Sequence, residues 1–115
     1  MISLRKWPLM GILAALAATR ITAAHAEPLG DAERGHLLAK QVCAQCHAVE
    51  KSETVSRNTA APTFSAIAQS PGMTSLALSV FFRTPHENMP NLVLPTQEML
   101  DVIAYIESLK PPTQR

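Results

Sequence analysis

Several things are scarce in this 115-residue chain, and each shortage excludes something. Cysteine is limited to Cys43 and Cys46, three positions apart. A bridge between them would close only a tiny loop and constrain little of the unfolded chain. Aromatics make up 4%, with one Trp, one Tyr and three Phe, so the core is thin. Charge of one sign is also missing: ten Lys and Arg face nine Asp and Glu, a formal net charge of +1. Without a basic surplus to neutralise phosphates, a nucleic-acid partner is disfavoured. No apolar run reaches the roughly 18 residues that suggest a membrane span. No Ser/His/Asp, paired-carboxylate or phosphate-loop pattern supports hydrolytic or transfer chemistry, so the chain does not read as an enzyme. What remains is a chain with 47% hydrophobic and 17% charged residues, too apolar for disorder and long enough for one small domain.

The N-terminus has the order of an export signal. Arg5 and Lys6 precede the apolar stretch from Pro8 to Ala18, Arg20 interrupts it, and Ala24-His25-Ala26 is a small-x-small cleavage pattern. The reading is a cleavable signal peptide over 1–26 and one domain over 27–115, located in the periplasm without a permanent membrane anchor. Thr22-Ala23-Ala24 is a competing cleavage site. Removing Arg5, Lys6 and Arg20 turns the formal +1 into −2, and the only Trp, Trp7, leaves as well.

A domain of this size is marginal unless something staples it: disulfides, a metal or a large cofactor. Cys43-Ala44-Gln45-Cys46-His47 supplies the answer, because C-x-x-C-H is the attachment pattern for c-type haem. Two thiols add across the two vinyl groups. The two-residue spacer brings both sulfurs to one porphyrin edge, and the adjacent His47 places an imidazole nitrogen on the iron. The rivals fare worse. A thioredoxin-like pair wants a βαβ context, and Asn91-Leu92-Val93-Leu94 is the one short strand candidate. A zinc site wants a second ligand pair, and neither His36 nor His86 lies in a paired motif.

The second axial group is open among three methionines and a histidine. Met99 lies on a helical apolar stripe and reads as core, while Met73 follows the Pro71-Gly72 turn. Met89 lies between Pro85 and Pro90, where no helix interior can form, so a side chain can turn inward from a loop. His86 is the rival and would hold a lower potential than Met, although it reads, like His36, as a solvated histidine.

Four helices are expected. Asp31 caps one from Ala32 to about Val42 that runs into the haem motif, and Gly35 within it permits a close contact. Glu50 to Ala61 is loop. Pro62 starts a short helix to Ala68, occupying its first turn. Thr74 or Ser75 caps a third to about Arg83, with Leu76, Val80 and Phe81 inward. Thr96 caps the last, which buries Met99, Val102, Ile103, Ile106 and Leu109 and carries Lys110 at its end.

Taken together, these features resemble a class I (mitochondrial-type) cytochrome c of the bacterial periplasmic, monohaem kind. The resemblance spans most of Asp31 to Lys110. It rests on Gly35, the haem motif, Ala61-Pro62-Thr63-Phe64, Met89-Pro90 and Asp101-Val102-Ile103-Ala104-Tyr105-Ile106. It implies an all-α fold of three to four helices wrapped around one covalently bound haem c, with its iron. It further implies Cys43 and Cys46 as attachment points, His47 and Met89 as axial iron ligands, and the Pro62 carbonyl as partner of the His47 ring. Gly35 is to let the first helix approach Tyr105 in the last. The implied function is one-electron transfer between redox proteins, a periplasmic dehydrogenase as donor and a terminal oxidase or another cytochrome as acceptor. Two alternatives stand beside it: a dedicated haem subunit of a periplasmic dehydrogenase complex, and a sensor or peroxidase-like protein lacking the Met ligand. The departures are Ala39, where the family often has an aromatic, the absence of a Trp after the leader, and no basic docking ring. They leave Arg57 and Asn58 as the candidates for the propionates.

Overall fold

A computed structural model describes residues 29–84, 89 and 92–112. The expected leader, its cleavage point and His86 lie outside the described residues. Among the described residues there are four α-helices and one short 3₁₀ turn: α1 (Ala32–Val42), the turn (Cys43–Gln45), α2 (Phe64–Gln69), α3 (Ser75–Arg83) and α4 (Thr96–Ser108). Among the described residues there is no strand, and Leu92 to Leu94 is irregular. The domain is all-α, as expected.

Helix α1 begins where the sequence says it should. The Asp31 side chain accepts from the Arg34 backbone N–H at 2.9 Å, satisfying one of the orphan donors of the first turn. Its buried face, with Gly35 and Ala39, packs on α4, whose Met99, Val102, Ile103, Ile106 and Leu109 are all buried. The approach is so close that a Cβ on Gly35 would overlap the Asp101 carbonyl, and one on Gly30 that of Leu100. The neighbour of Gly35 is therefore the backbone at Asp101 and Val102, one turn before Tyr105. The Tyr105 ring stacks instead on His36, centroids 4.6 Å apart.

The starts of α2 and α4 differ by a residue, while α3 starts as expected. Thr63, not Pro62, caps α2: its Oγ1 accepts from the Ala66 N–H at 3.0 Å, which leaves Pro62 outside the helix. Thr74 caps α3 in the same way at 3.1 Å. In α4 the cap position belongs to Pro95, whose extended backbone (φ −51°, ψ 146°) leads Thr96 in as the first helical residue. The Pro95 carbonyl then accepts from the Met99 N–H at 3.0 Å.

The inward face of α3 is a correction. Leu76, Val80 and Phe81 are exposed (75%, 55% and 51%), while Leu78 is buried and Phe82 half-buried. Apolar residues surround this helix, so periodicity alone does not single out a face. Packing against α4 selects Leu78 and Phe82. Helix α3 ends at Arg83, with Thr84 extended ahead of Pro85.

Candidate functional site

The site begins at the end of α1. The chain tightens into the 3₁₀ turn, and the Cys43 carbonyl accepts from both the Cys46 N–H (3.1 Å) and the His47 N–H (2.9 Å). This curl turns Cys43, Cys46 and His47 toward one cavity of about 540 Å³. The following loop is pinned back onto the motif. Asn58 donates from its backbone to the Cys46 carbonyl (3.0 Å), Phe64 to the Ala48 carbonyl (2.9 Å), and Ala48 to Ser56 Oγ (2.9 Å). These bonds carry Ala61 and Pro62 to the side of His47.

There the His47 Nδ1 stands 2.7 Å from the Pro62 carbonyl. A carbonyl can only accept, so Nδ1 carries the proton and donates. In the neutral ring this leaves the lone pair on the other nitrogen, Nε2. Phe64 sits against the ring, centroids 5.5 Å apart, and limits its rotation. Burial pushes the Cys43 thiol up to about 11.

Met89 lines the same cavity and is half-buried. So does Met73, whereas Met99 is buried in the α4 core and does not. Cys43, Cys46, His47, Pro62 and Met89 are thus brought to one cavity, and the rest of its lining is largely apolar: Val42, Ile67, Leu78, Phe82 and Ile106 among others. Arg57 and Asn58 do not line it; Asn58 Oδ1 accepts from the Ala60 N–H at 3.0 Å instead.

Two clusters escaped the sequence. His36 is not a solvated histidine. It is half-buried, its Nε2 lies 2.9 Å from Glu50 Oε1, and it stacks on Tyr105. That hydrogen bond is the main reason the Glu50 carboxyl titrates below its usual range. Tyr105 donates to the Val49 carbonyl at 2.7 Å, which ties α4 to the first loop residues after the motif. The second cluster is the buried Asp101, described below. Neither shows as a pattern, because each joins residues far apart in the chain.

The donor set fits a covalent haem. Two thiols stand one turn apart, an imidazole is held by its other nitrogen, a thioether lines the same space, and the walls are apolar. Among the described residues no group of three His, Cys, Asp or Glu side chains could hold a bare metal ion, so the zinc reading finds no ligand set there. No described helix is long and apolar enough to cross a membrane.

Comparison with known proteins agrees. Residues 32–110 match the family model described as Cytochrome c. A cytochrome c-552 of Bradyrhizobium diazoefficiens is 40% identical over 81 residues, covering 70% of this chain and 77% of that protein. No solved structure matches. The chain therefore belongs to the cytochrome c family, carries haem c as its cofactor, and is an electron carrier rather than an enzyme.

Proposed function

We propose that the chain is an exported, periplasmic one-electron shuttle. In this reading Cys43 and Cys46 hold the haem, and His47 and Met89 ligate its iron. The observation that carries the reading is the convergence of these four side chains on one largely apolar cavity, with His47 Nδ1 committed to Pro62. When bound, the haem supplies one iron that accepts and releases a single electron. The chain's own residues do the rest. Pro62 holds the His47 ring in one tautomer and orientation, which would leave Nε2 available to ligate the iron. Keeping the same two ligands throughout minimises rearrangement. The apolar walls exclude water, and ligation by the Met89 thioether together with the His47 imidazole would raise the potential. The segment 1–26 serves as the cleaved export signal. Donor and acceptor are redox proteins, with a periplasmic dehydrogenase and a terminal oxidase or second cytochrome as the expected kinds.

The test is optical. Protein recovered from the periplasm should give reduced and oxidised haem c spectra and a pyridine haemochrome of the thioether-linked type. The oxidised protein should show the Met–iron charge-transfer band toward the red, and Met89→Ala should abolish it. A band that survives in Met89→Ala would remove Met89 from the iron.

One observation favours a second reading. Phe81 lines the cavity yet is half exposed, and Leu76 and Val80 are exposed on the same helix. Such a face suits a dedicated haem subunit in a stable complex with a periplasmic dehydrogenase. Co-purification of a dehydrogenase at stoichiometric amounts would select it over the free shuttle.

A further inference from the structure

We propose that Lys110 is a positioning residue for the haem cavity: its ammonium, paired with Glu107, grips the Met73 carbonyl and fixes the turn between α2 and α3 as one wall of that cavity. The proposal rests on the cavity being the haem site.

The position of Lys110 at the end of α4 would be explained by the helix dipole alone if its tip reached water. It does not. The side chain is only 10% exposed. Its Nζ donates to the Met73 carbonyl at 2.7 Å and pairs with Glu107 Oε2 at 2.7 Å. Burying an ammonium is costly unless its protons are used, and a dipole interaction alone does not require burial. Glu107 completes the argument. Its other oxygen, Oε1, is buried without a hydrogen-bond partner among the described residues, so Lys110 is what holds this carboxylate in place.

What the lysine grips matters for the cavity. The turn runs from Ser70 to Met73, closed by the Met73 N–H donating to the Ser70 carbonyl at 3.1 Å. Pro71 and Gly72 in its middle are exposed, and a Cβ on Gly72 would meet nothing within 4 Å. Ser70 and Met73 at its two ends both line the cavity. The bond from Lys110 reaches across 37 positions of sequence to the end that carries the Met73 side chain. Without it the turn is free to lift, the Met73 thioether leaves the wall, and water gains access to the apolar interior.

The experiment uses the holoprotein labelled with ¹³C at the methionine methyls, reduced so that the iron is diamagnetic. The variants are Lys110→Leu, Lys110→Met and Lys110→Arg. In the wild type the Met73 methyl should be displaced far from the free-methionine position by the porphyrin ring current. Lys110→Leu should lose at least half of that displacement and lower the midpoint potential. Lys110→Arg, which can still donate, should restore most of both. The buried Met99 methyl, remote from the cavity, should not move in any variant. A Met73 methyl and potential unchanged in Lys110→Leu would overturn the tether while leaving the haem site intact. A Met73 methyl at the free position in the wild type would instead overturn the site, and the tether with it. If Lys110→Leu yields no holoprotein, Lys110→Met decides, since it keeps most of the stem and removes the ammonium that donates to Met73. Displacement in the same direction supports the tether, and an unmoved signal refutes it.

Discussion

Asp101 accepts from the Asp31 backbone N–H (2.8 Å), from Arg34 Nε (2.9 Å) and Nη2 (3.2 Å), and from Gln97 (3.0 Å). A buried carboxylate so surrounded is held ionised: the Arg34 hydrogen bond, foremost, lowers its titration from 3.8 to about 2. Between about pH 4 and pH 2 the unfolded chain therefore takes up a proton that the folded chain refuses. Stability conferred by this carboxylate is complete above pH 4 and disappears as pH falls toward 2. Asp101→Asn should lower the melting temperature of the holoprotein at pH 7, and the difference from wild type should shrink toward pH 2. A difference that stays constant over that window would show that the carboxylate charge is not what Asp101 contributes. Tyr105 allows a cleaner single-atom test. Its hydroxyl donates to the buried Val49 carbonyl, and burial raises its titration. Tyr105→Phe keeps the ring against His36 and removes only that bond. It should cost about 1–2 kcal/mol in denaturant unfolding, because the carbonyl is left unpaired.

At the scale of elements, a helix was legible wherever its signal is local. Asp31 and Thr74 cap through their own side chains, and the α4 stripe repeats within one helix, so the starts of α1 and α3 and the core face of α4 could be read directly. The haem motif was legible because its three chemical groups are neighbours in sequence. What could not be read depends on partners far along the chain. The exposed side of α3, the clasp of His36 on Glu50 and the reach of Lys110 to Met73 are set by which helix packs where, not by local pattern. Gly35 lies between the two cases. The sequence marks it as a close contact, but only the crossing reveals that the contact is with the Asp101 backbone. That distinction is measurable. On an open helix face, Gly35→Ala would gain up to about 1 kcal/mol from helix propensity. Against a backbone carbonyl that cannot rotate away, it should instead cost about 1–3 kcal/mol. A stabilised Gly35→Ala would mean that α1 and α4 cross farther apart than described here.

The whole molecule depends on its cofactor for an interior, and this sets two expectations. The described core holds few large side chains, with Val49, Val102 and Ile106 the largest that are fully buried, around a cavity of about 540 Å³. Without the haem this open, largely apolar space would fill with water and its walls would lose their burial, a heavy cost for a small domain of marginal stability. The double variant Cys43→Ser/Cys46→Ser, unable to hold the haem by thioethers, should therefore lose its cooperative thermal transition. The second expectation concerns how partners are met. The formal charge is small, +1 over the full chain and −2 over 27–115, and three of the six described cations face acidic neighbours: Arg34 with Asp31 and Asp101, Lys40 with Glu50, Lys110 with Glu107. Paired charges produce little field beyond the Debye length, about 10 Å at 0.1 M salt, so long-range steering is weak. Encounter must then rely on short-range contact, for which the exposed apolar side of α3 beside the cavity is available. Bimolecular electron-transfer rates with a redox partner should thus change by no more than about threefold between low and high salt. A steep fall with salt would locate recognition in unpaired cations such as Lys51, Arg57 and Arg83, and would displace the apolar face from that role.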